Sequence, residues 1–374
     1  MPFRRILIAP DSFKGSLPAG CVAQDIARGL KSVAPYLEVR CLPMSDGGEG
    51  AGNIVESLGG TRVSAPATTV YGIAREGYWL RWNRVALVET AVGSGYIPAN
   101  ERVAPSEHTT SLGTGMLTAE AMRDPGIDRV YIALGGTGCT DGGMGFLAGL
   151  GARFFDNNGV AVEPYSDNLG KVWRWVLPAR VSKPLIGLYD VGVPLVGSNG
   201  AVRLFGPQKG IALNRLNDVE ASMVHYARHI EDGAPKWSLV PGAGAAGGIG
   251  FGILALGGIL AGGAETIGEW CHLSNQIAAS DLVITGEGRI DVQTVHGKVV
   301  GHVVQVAAKY RKPVIAVVGS RSGDLTDLHN EGLSFVMPVP VAPMLVDEAM
   351  NRSEELLELV GQELGWLLRS MNGM

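Results

Sequence analysis

The sequence predicts an α/β protein: a Rossmann-like doubly wound sheet built from both chain ends, with a second α/β domain inserted between them. Three observations carry that expectation. Residues 5–42 alternate strand and helix signals, residues 281–368 repeat the alternation, and the stretch between them has longer and less regular joins.

At the start, residues 5–9 (RILIA) form an apolar, β-branched run suited to a buried parallel strand. Ser16 is placed to cap a helix through Ala34, because Leu17, Cys21, Val22, Ile26, Leu30 and Val33 recur at helical spacing. Residues 37–42 supply the next strand. At the other end, residues 281–285, 313–318 and 333–339 read as strands and 297–310 as a helix. One last helix is expected from about 345 to 368, with Leu356, Leu357, Val360, Leu364 and Leu368 on one face. In the middle, residues 85–89, 129–134 and 184–189 read as strands, and 63–82 as short antiparallel strands. The expected division is residues 1–62 with 268–374 in the first domain and 63–267 in the second, with no internal repeat or low-complexity linker.

Composition narrows the function. The chain is 46% hydrophobic and 18% charged, with net charge −5 from 31 basic and 36 acidic residues. The charges are interspersed, so there is no basic stripe for nucleic acid, and small molecules and copies of the chain itself are the expected partners. Residues 239–264 run for 26 positions without a charge, long enough to cross a bilayer. Their first part is Gly and Ala, however, and the ten glycines suit a buried loop leading into a core helix over 249–260; no membrane segment is expected. Cys21, Cys41, Cys139 and Cys271 stand far apart without a C-x-x-C pair, which reads as buried thiols in a reducing, cytoplasmic setting. The apolar run at the N-terminus is too short for a signal peptide.

Glycine is the outlier, with 54 residues in 374, twice the ordinary share of about 7%. The glycines cluster beside carboxylates and cations at expected strand ends. Such segments are 11–16 (DSFKGS), 45–50 (SDGGEG), 135–143 (GGTGCTDGG), Asp190, 205–210 (FGPQKG) and 286–291 (GEGRID), the last followed by Gln293, Thr294, Gly297 and Lys298. Each alone reads as a turn. Six in one chain fit a shared anion site, because ligands of open α/β sheets bind outside the carboxyl ends of strands. Phosphoryl transfer from ATP uses this inventory: carboxylates for Mg²⁺, backbone N–H groups and cations for phosphate oxygens, and one group to orient or deprotonate the attacking hydroxyl. The sequence has no G-x-x-x-x-G-K-[ST], no kinase H-R-D or D-F-G set and no G-x-S-x-G.

Two patterns point elsewhere. Gly242 to Gly247 fits G-x-G-x-x-G, but the dinucleotide reading needs a strand before it and a second strand ending near Glu265, and neither is expected. His225 and His229 stand at i, i+4 on an expected helix and read as exposed face residues, since no third metal ligand is nearby. His296, in the 294–298 loop, is the histidine closest to the motifs.

Taken in order, the segments IAPDSFKGSL, SDGGEG, TTSLGTG, DGGMG, FGPQKG, PGAGAAGG and ITGEGRIDVQT resemble the type I glycerate kinases, nearly along the whole chain. The resemblance implies the same two-domain architecture with the site in the cleft, ATP with Mg²⁺, and D-glycerate phosphorylated at its 2-hydroxyl to 2-phosphoglycerate. Two positions depart from the family pattern: Thr140 and Val193 stand where the family has Asn. Each lost amide removes a candidate hydrogen bond to the acceptor, worth about 1–3 kcal/mol if buried and unreplaced. Another hydroxy acid, such as tartronate, therefore stays open as acceptor.

The residue expectations follow. Lys14 and Arg289 meet at one anion site, since both follow strands of the same sheet. Ser12, Thr110, Thr114, Gly136, Lys209, Gly244, Gly247, Gly286, Gly288, Gln293 and Lys298 are the substrate- and phosphate-binding candidates. Asp46, Glu49, Glu287 and Asp291 are the Mg²⁺ candidates, of which one or two act. Asp190 is the general base, with Asp141 its rival. A hydroxy-acid sensor and a nicotinamide oxidoreductase are the alternative classes.

Overall fold

The computed structural model describes residues 3–103, 105, 107–177, 181–231, 236–291, 294 and 298–373; Gln293, His296 and Gly297 lie outside the described residues. The chain starts with β1 (Arg5–Ile8) and β2 (Glu38–Cys41). It continues through β3 (Thr61–Thr68), β4 (Ala74–Trp82), β5 (Val85–Glu89), β6 (Arg129–Ala133), β7 (Arg153–Phe155), β8 (Ala161–Val162), β9 (Arg174–Val176), β10 (Leu185–Tyr189) and β11 (Ile259–Gly262). It ends with β12 (Leu282–Ile290), β13 (Val314–Arg321) and β14 (Leu333–Pro338). Two compact units result: Met1–Asp46 with Gly263–Met374, here unit 1, and Gly47–Gly262, here unit 2.

Unit 1 holds a five-stranded sheet in the order β14-β13-β12-β1-β2. Every neighbouring pair is parallel, as in Ile6↔Leu282, Ile8↔Cys41 and Ile284↔Ile315. Continuous Ile and Val runs suit strands covered on both faces. The helices Ala19–Val33 and Ser353–Met371 pack together on one face and add Val22, Ile26, Leu30, Leu356, Val360 and Leu364 to a core with Ile6, Ile8, Ile284 and Val317. Because all five strands run one way, their carboxyl ends form one edge.

Unit 2 holds a six-stranded sheet in the order β11-β10-β6-β5-β4-β3, parallel from β11 to β5 and antiparallel at β4 and β3. A small antiparallel sheet, β8-β7-β9, lies apart from it. The core of unit 2 centres on Phe146, Tyr226, Phe251, Ile132 and Leu117.

Several expectations need correction. Residues 47–62 group with unit 2, because the helix Ala51–Ser57 packs against β4 and β5 and Gly52 N donates to Glu89 Oε1 at 3.0 Å. Residues 263–267 begin the unit 1 helix Gly263–Trp270. The first helix starts at Ala19 behind Pro18, and Ser16 caps nothing there; its hydroxyl donates to Met350 O at 3.1 Å. The last helix is two helices, Val346–Asn351 and Ser353–Met371, meeting at Arg352 (φ −105°, ψ 15°). Ser353 Oγ lies 2.8 Å from Met350 O and 3.0 Å from Ala349 O, the back-bonding that bends helices. β12 and β13 also run past the expected ends, pairing through Gly286↔Val317 and Arg289↔Ser320. The expected core helix over 249–260 stops at Ala255, and β11 follows it unanticipated. Among the described residues no helix is long and apolar enough to cross a membrane.

Candidate functional site

The single carboxyl edge of unit 1 gathers the sequence motifs. β1 runs out into Asp11–Ser16, β2 into Asp46, and β12 carries Glu287, Gly288 and Arg289 along its last turns of pairing with β13. Backbone bonds from Ala9 N to Ile284 O (2.7 Å) and Asp11 N to Gly286 O (2.8 Å) hold the first loop beside β12. Together these segments line a cavity of about 480 Å³ that also takes in Ser12, Lys14, Lys298, Ser320 and the 339–350 segment.

Charges of both signs stand in and beside it. Lys14 Nζ stands 3.0 Å from Asp46 Oδ2, with the lysine exposed and the aspartate buried. Lys298 Nζ lies 3.6 Å from Glu287 Oε2 and 4.0 Å from Asp291 Oδ1. The Thr294 hydroxyl donates to Glu287 Oε1 at 2.8 Å. Arg289 is exposed, 3.7 Å from Asp291 Oδ2 and 3.3 Å from Ser322 Oγ. Burial lifts the Glu287 carboxyl to about 7 against the pull of Lys298 and Thr294. Burial, then the neighbouring Asp46, lifts Asp11 well above the usual carboxylate range, only partly offset by the Ser12 N–H at 2.6 Å. Lys14 and Arg289 thus line one cavity, although Arg289 lies within β12, paired with Ser320, and does not follow the strand as expected. Asp11 is the residue that the sequence reading did not single out. It heads the DSFKGS segment, but its weight comes from Asp46 and Glu287, which only the sheet brings beside it. Gly286 has a packing explanation: a Cβ there would fall 2.2 Å from Val317 O.

Unit 2 uses the same residue types differently. At the carboxyl ends of its parallel strands stand Glu89, Gly135 with Gly136, and the half-buried Asp190, in register through Glu89↔Ala133 and Leu188↔Ala133. Burial raises the Glu89 carboxyl while it accepts from the Gly52 N–H. Asp141 has no exposed surface. Its Oδ2 accepts from Ser111 N and Ser111 Oγ, both at 2.7 Å, and from Gly145 N at 3.0 Å; its Oδ1 accepts from Gly143 N at 3.1 Å. Lys209 is buried and donates to Cys139 O at 2.6 Å, and burial lowers its basicity. Thr110 and Thr114 are fully buried, the latter 2.7 Å from Ser94 Oγ. A Cβ at Gly244 would fall 2.3 Å from Pro194 O, and one at Gly247 2.1 Å from Cys139 O, so these glycines answer to close chain contact. Glu49 belongs to this unit, exposed beside Gly136.

His225 and His229 are not the exposed face residues expected: both are half-buried, His225 Nε2 lies 2.9 Å from Val172 O, and both rings pack on Trp173. Ser238 lies in the short 3₁₀ turn Trp237–Leu239, so the G-x-G-x-x-G segment has no strand before it, although β11 does end shortly before Glu265. Of the two departures from the family pattern, Thr140 is buried with its hydroxyl unpartnered among the described residues, beside a cavity of about 90 Å³. Val193 is buried, and its carbonyl accepts from Gly242 N (3.1 Å) and Gly244 N (2.9 Å).

Comparison with known proteins gives the same direction throughout. Residues 6–369 match the glycerate kinase family. The chain is 38% identical to the glycerate 2-kinase of Escherichia coli strain K12, over 93% of each chain, and 33% identical to the glycerate kinase of Bacillus cereus, over 98% of this chain and 99% of that one. A crystal structure of a putative glycerate kinase 2 from Salmonella typhimurium LT2 superposes over the full length of both chains with a TM-score of 0.80 at 33% identity. A likeness that spans both units, in sequence and in fold, leaves no part of the chain unaccounted for: it belongs to the glycerate kinase family.

Proposed function

We propose that the protein transfers the γ-phosphoryl of ATP to the 2-hydroxyl of D-glycerate, giving 2-phosphoglycerate and ADP. The observation that carries this reading is the unit 1 cavity, where Lys14, Lys298 and Arg289 share one strand edge with Asp11, Asp46 and Glu287. Phosphoryl transfer needs positioning and charge neutralisation more than covalent chemistry, and this edge supplies both.

Lys14, Lys298 and Arg289 neutralise phosphate oxygens, with Arg289 offering a planar fork. The donor set fits Mg²⁺: Asp11, Asp46 and Glu287 are hard oxygen ligands whose mutual repulsion a cation relieves. Among the described residues no cluster of three or more such side chains is arranged around one point, so one or two carboxylates would hold the ion with phosphate oxygens and water. When bound, it supplies charge stabilisation. Asp190 takes the proton of the 2-hydroxyl; Asp141 is the weaker candidate, since its oxygens already accept four hydrogen bonds. A cytoplasmic setting is part of this proposal, resting on the cysteine spacing; Cys139 and Cys271 are buried as expected, whereas Cys21 and Cys41 are exposed.

ADP release coupled to D-glycerate, followed by NMR of the product, tests the reading. Glycerate-dependent turnover and 2-phosphoglycerate are expected. No glycerate-dependent turnover overturns the activity, and 3-phosphoglycerate overturns the position. The unpartnered Thr140 hydroxyl favours running tartronate in parallel; a higher kcat/KM for tartronate reassigns the acceptor.

A further inference from the structure

Beside its charged groups, the unit 1 cavity has an apolar lining of Phe13, Val339, Pro340, Met344, Val346 and Met350. D-Glycerate carries an oxygen on each of its three carbons and has no apolar face to bury. A cavity of about 480 Å³ also falls in the range of roughly 300–1,000 Å³ typical for much larger ligands. Of the apolar lining residues, Val346 is 74% exposed, and Leu345 beside it in the chain is exposed as well.

This wall is fastened to the anion loop. The Ser16 hydroxyl donates to Met350 O at 3.1 Å and lies 2.5 Å from Ser353 Oγ. Gly15 (φ +79°) approaches so closely that a Cβ would stand 3.0 Å from the Met350 methyl. The break at Arg352 turns Val346–Asn351 off the line of the last helix, and Glu348 and Glu355 brace Arg352 at 3.0 and 2.9 Å. The loop bearing Lys14 and the segment bearing Met344, Val346 and Met350 are therefore joined and line the same cavity, one with a cation and the other with apolar side chains.

We propose that this cavity is the donor subsite, with the adenine nucleoside of ATP against the 344–350 wall and its phosphates at Lys14, Lys298 and Arg289. The assignment rests on the kinase reading above and adds which substrate unit 1 holds. An aromatic base offers a flat, apolar face that Met and Val side chains cover well, and the triphosphate matches the cations.

The test is calorimetric titration of wild type and the Met344→Ser/Val346→Ser double variant with ATP, ADP and inorganic tripolyphosphate, alongside the KM for D-glycerate. Both sites are at least partly exposed, and Val346→Ser alone serves if the double variant is unstable. Nucleotide affinity should fall about tenfold or more. Tripolyphosphate affinity and the glycerate KM should hold within about twofold. Unchanged ATP and ADP affinity, a parallel loss for tripolyphosphate, or a rise confined to the glycerate KM overturns the assignment while leaving the kinase reading intact. A wild type that neither binds ATP nor turns over overturns both.

Discussion

The two units carry the same kind of segment, glycine beside an acid or a cation at a strand end, and use it in opposite ways. In unit 1 the cations are exposed or half-exposed, their contacts with Glu287 and Asp291 stretch to 3.6–4.0 Å, and the groups line a cavity. In unit 2 Asp141 and Lys209 are buried, and their partners stand at 2.6–3.1 Å. A carboxylate whose lone pairs are filled by backbone N–H groups organises its own loops. One held by a long ion pair at a cavity wall has capacity for a ligand. The difference lies in what surrounds each residue, since D-G-G and K-G read alike in both.

The largest effect should come from Asp141→Ala, which strands three backbone donors and the Ser111 hydroxyl in a dry interior. Denaturant unfolding should show a loss of about 3 kcal/mol or more. A fully stable but inactive variant would break the comparison by making Asp141 a catalytic group.

Asp190→Asn keeps shape and removes basicity. Its kcat should fall about 10²-fold with the KM for ATP little changed. Retention of more than about a third of wild-type kcat removes Asp190 from the proton transfer.

Arg289→Lys sharpens the unit 1 side. kcat/KM should drop about 10–100-fold, because Lys lacks the planar fork, while the unfolding free energy shifts by less than about 0.5 kcal/mol at this exposed position. A stability loss that matches the activity loss would make Arg289 structural.

Glu287→Gln should have the smallest effect, and it is read in metal-free buffer. With the folded carboxyl at about 7 against an ordinary 4.5, the native state binds more protons than the unfolded chain between these values. Wild type therefore loses stability as pH rises through that window, and the variant does not. The variant should gain on wild type by on the order of 1–3 kcal/mol between pH 4 and pH 8. Parallel stability curves would show that folding leaves the Glu287 carboxyl at its ordinary value.

Much of the fold was legible. The apolar runs of β1, β12 and β13 stood out as β-branched stretches, and β5, β6 and β10 came out within a residue of their observed ends. What failed depended on distant partners. Ser16 has the chemistry of a helix cap, yet Met350, far along the chain, holds its hydroxyl. The break at Arg352 has no Gly or Pro to announce it and arises where Ser353 meets Ser16. Residues 47–62 carry no boundary signal, and Glu89 ties them to unit 2.

The site divides along the same line. Residue chemistry and local order, which the chain encodes over a few positions at a time, determined on their own the α/β class, the glycine-flanked acids and cations, and the family. Only the tertiary structure decided that Asp11 joins Asp46 and Glu287 in one desolvated group, that Asp141 and Lys209 are sealed by hydrogen bonds, and that an apolar wall stands beside Lys14. Desolvation and charge coupling depend on which groups share a few ångströms, and parallel strands bring together residues that the sequence keeps hundreds of positions apart.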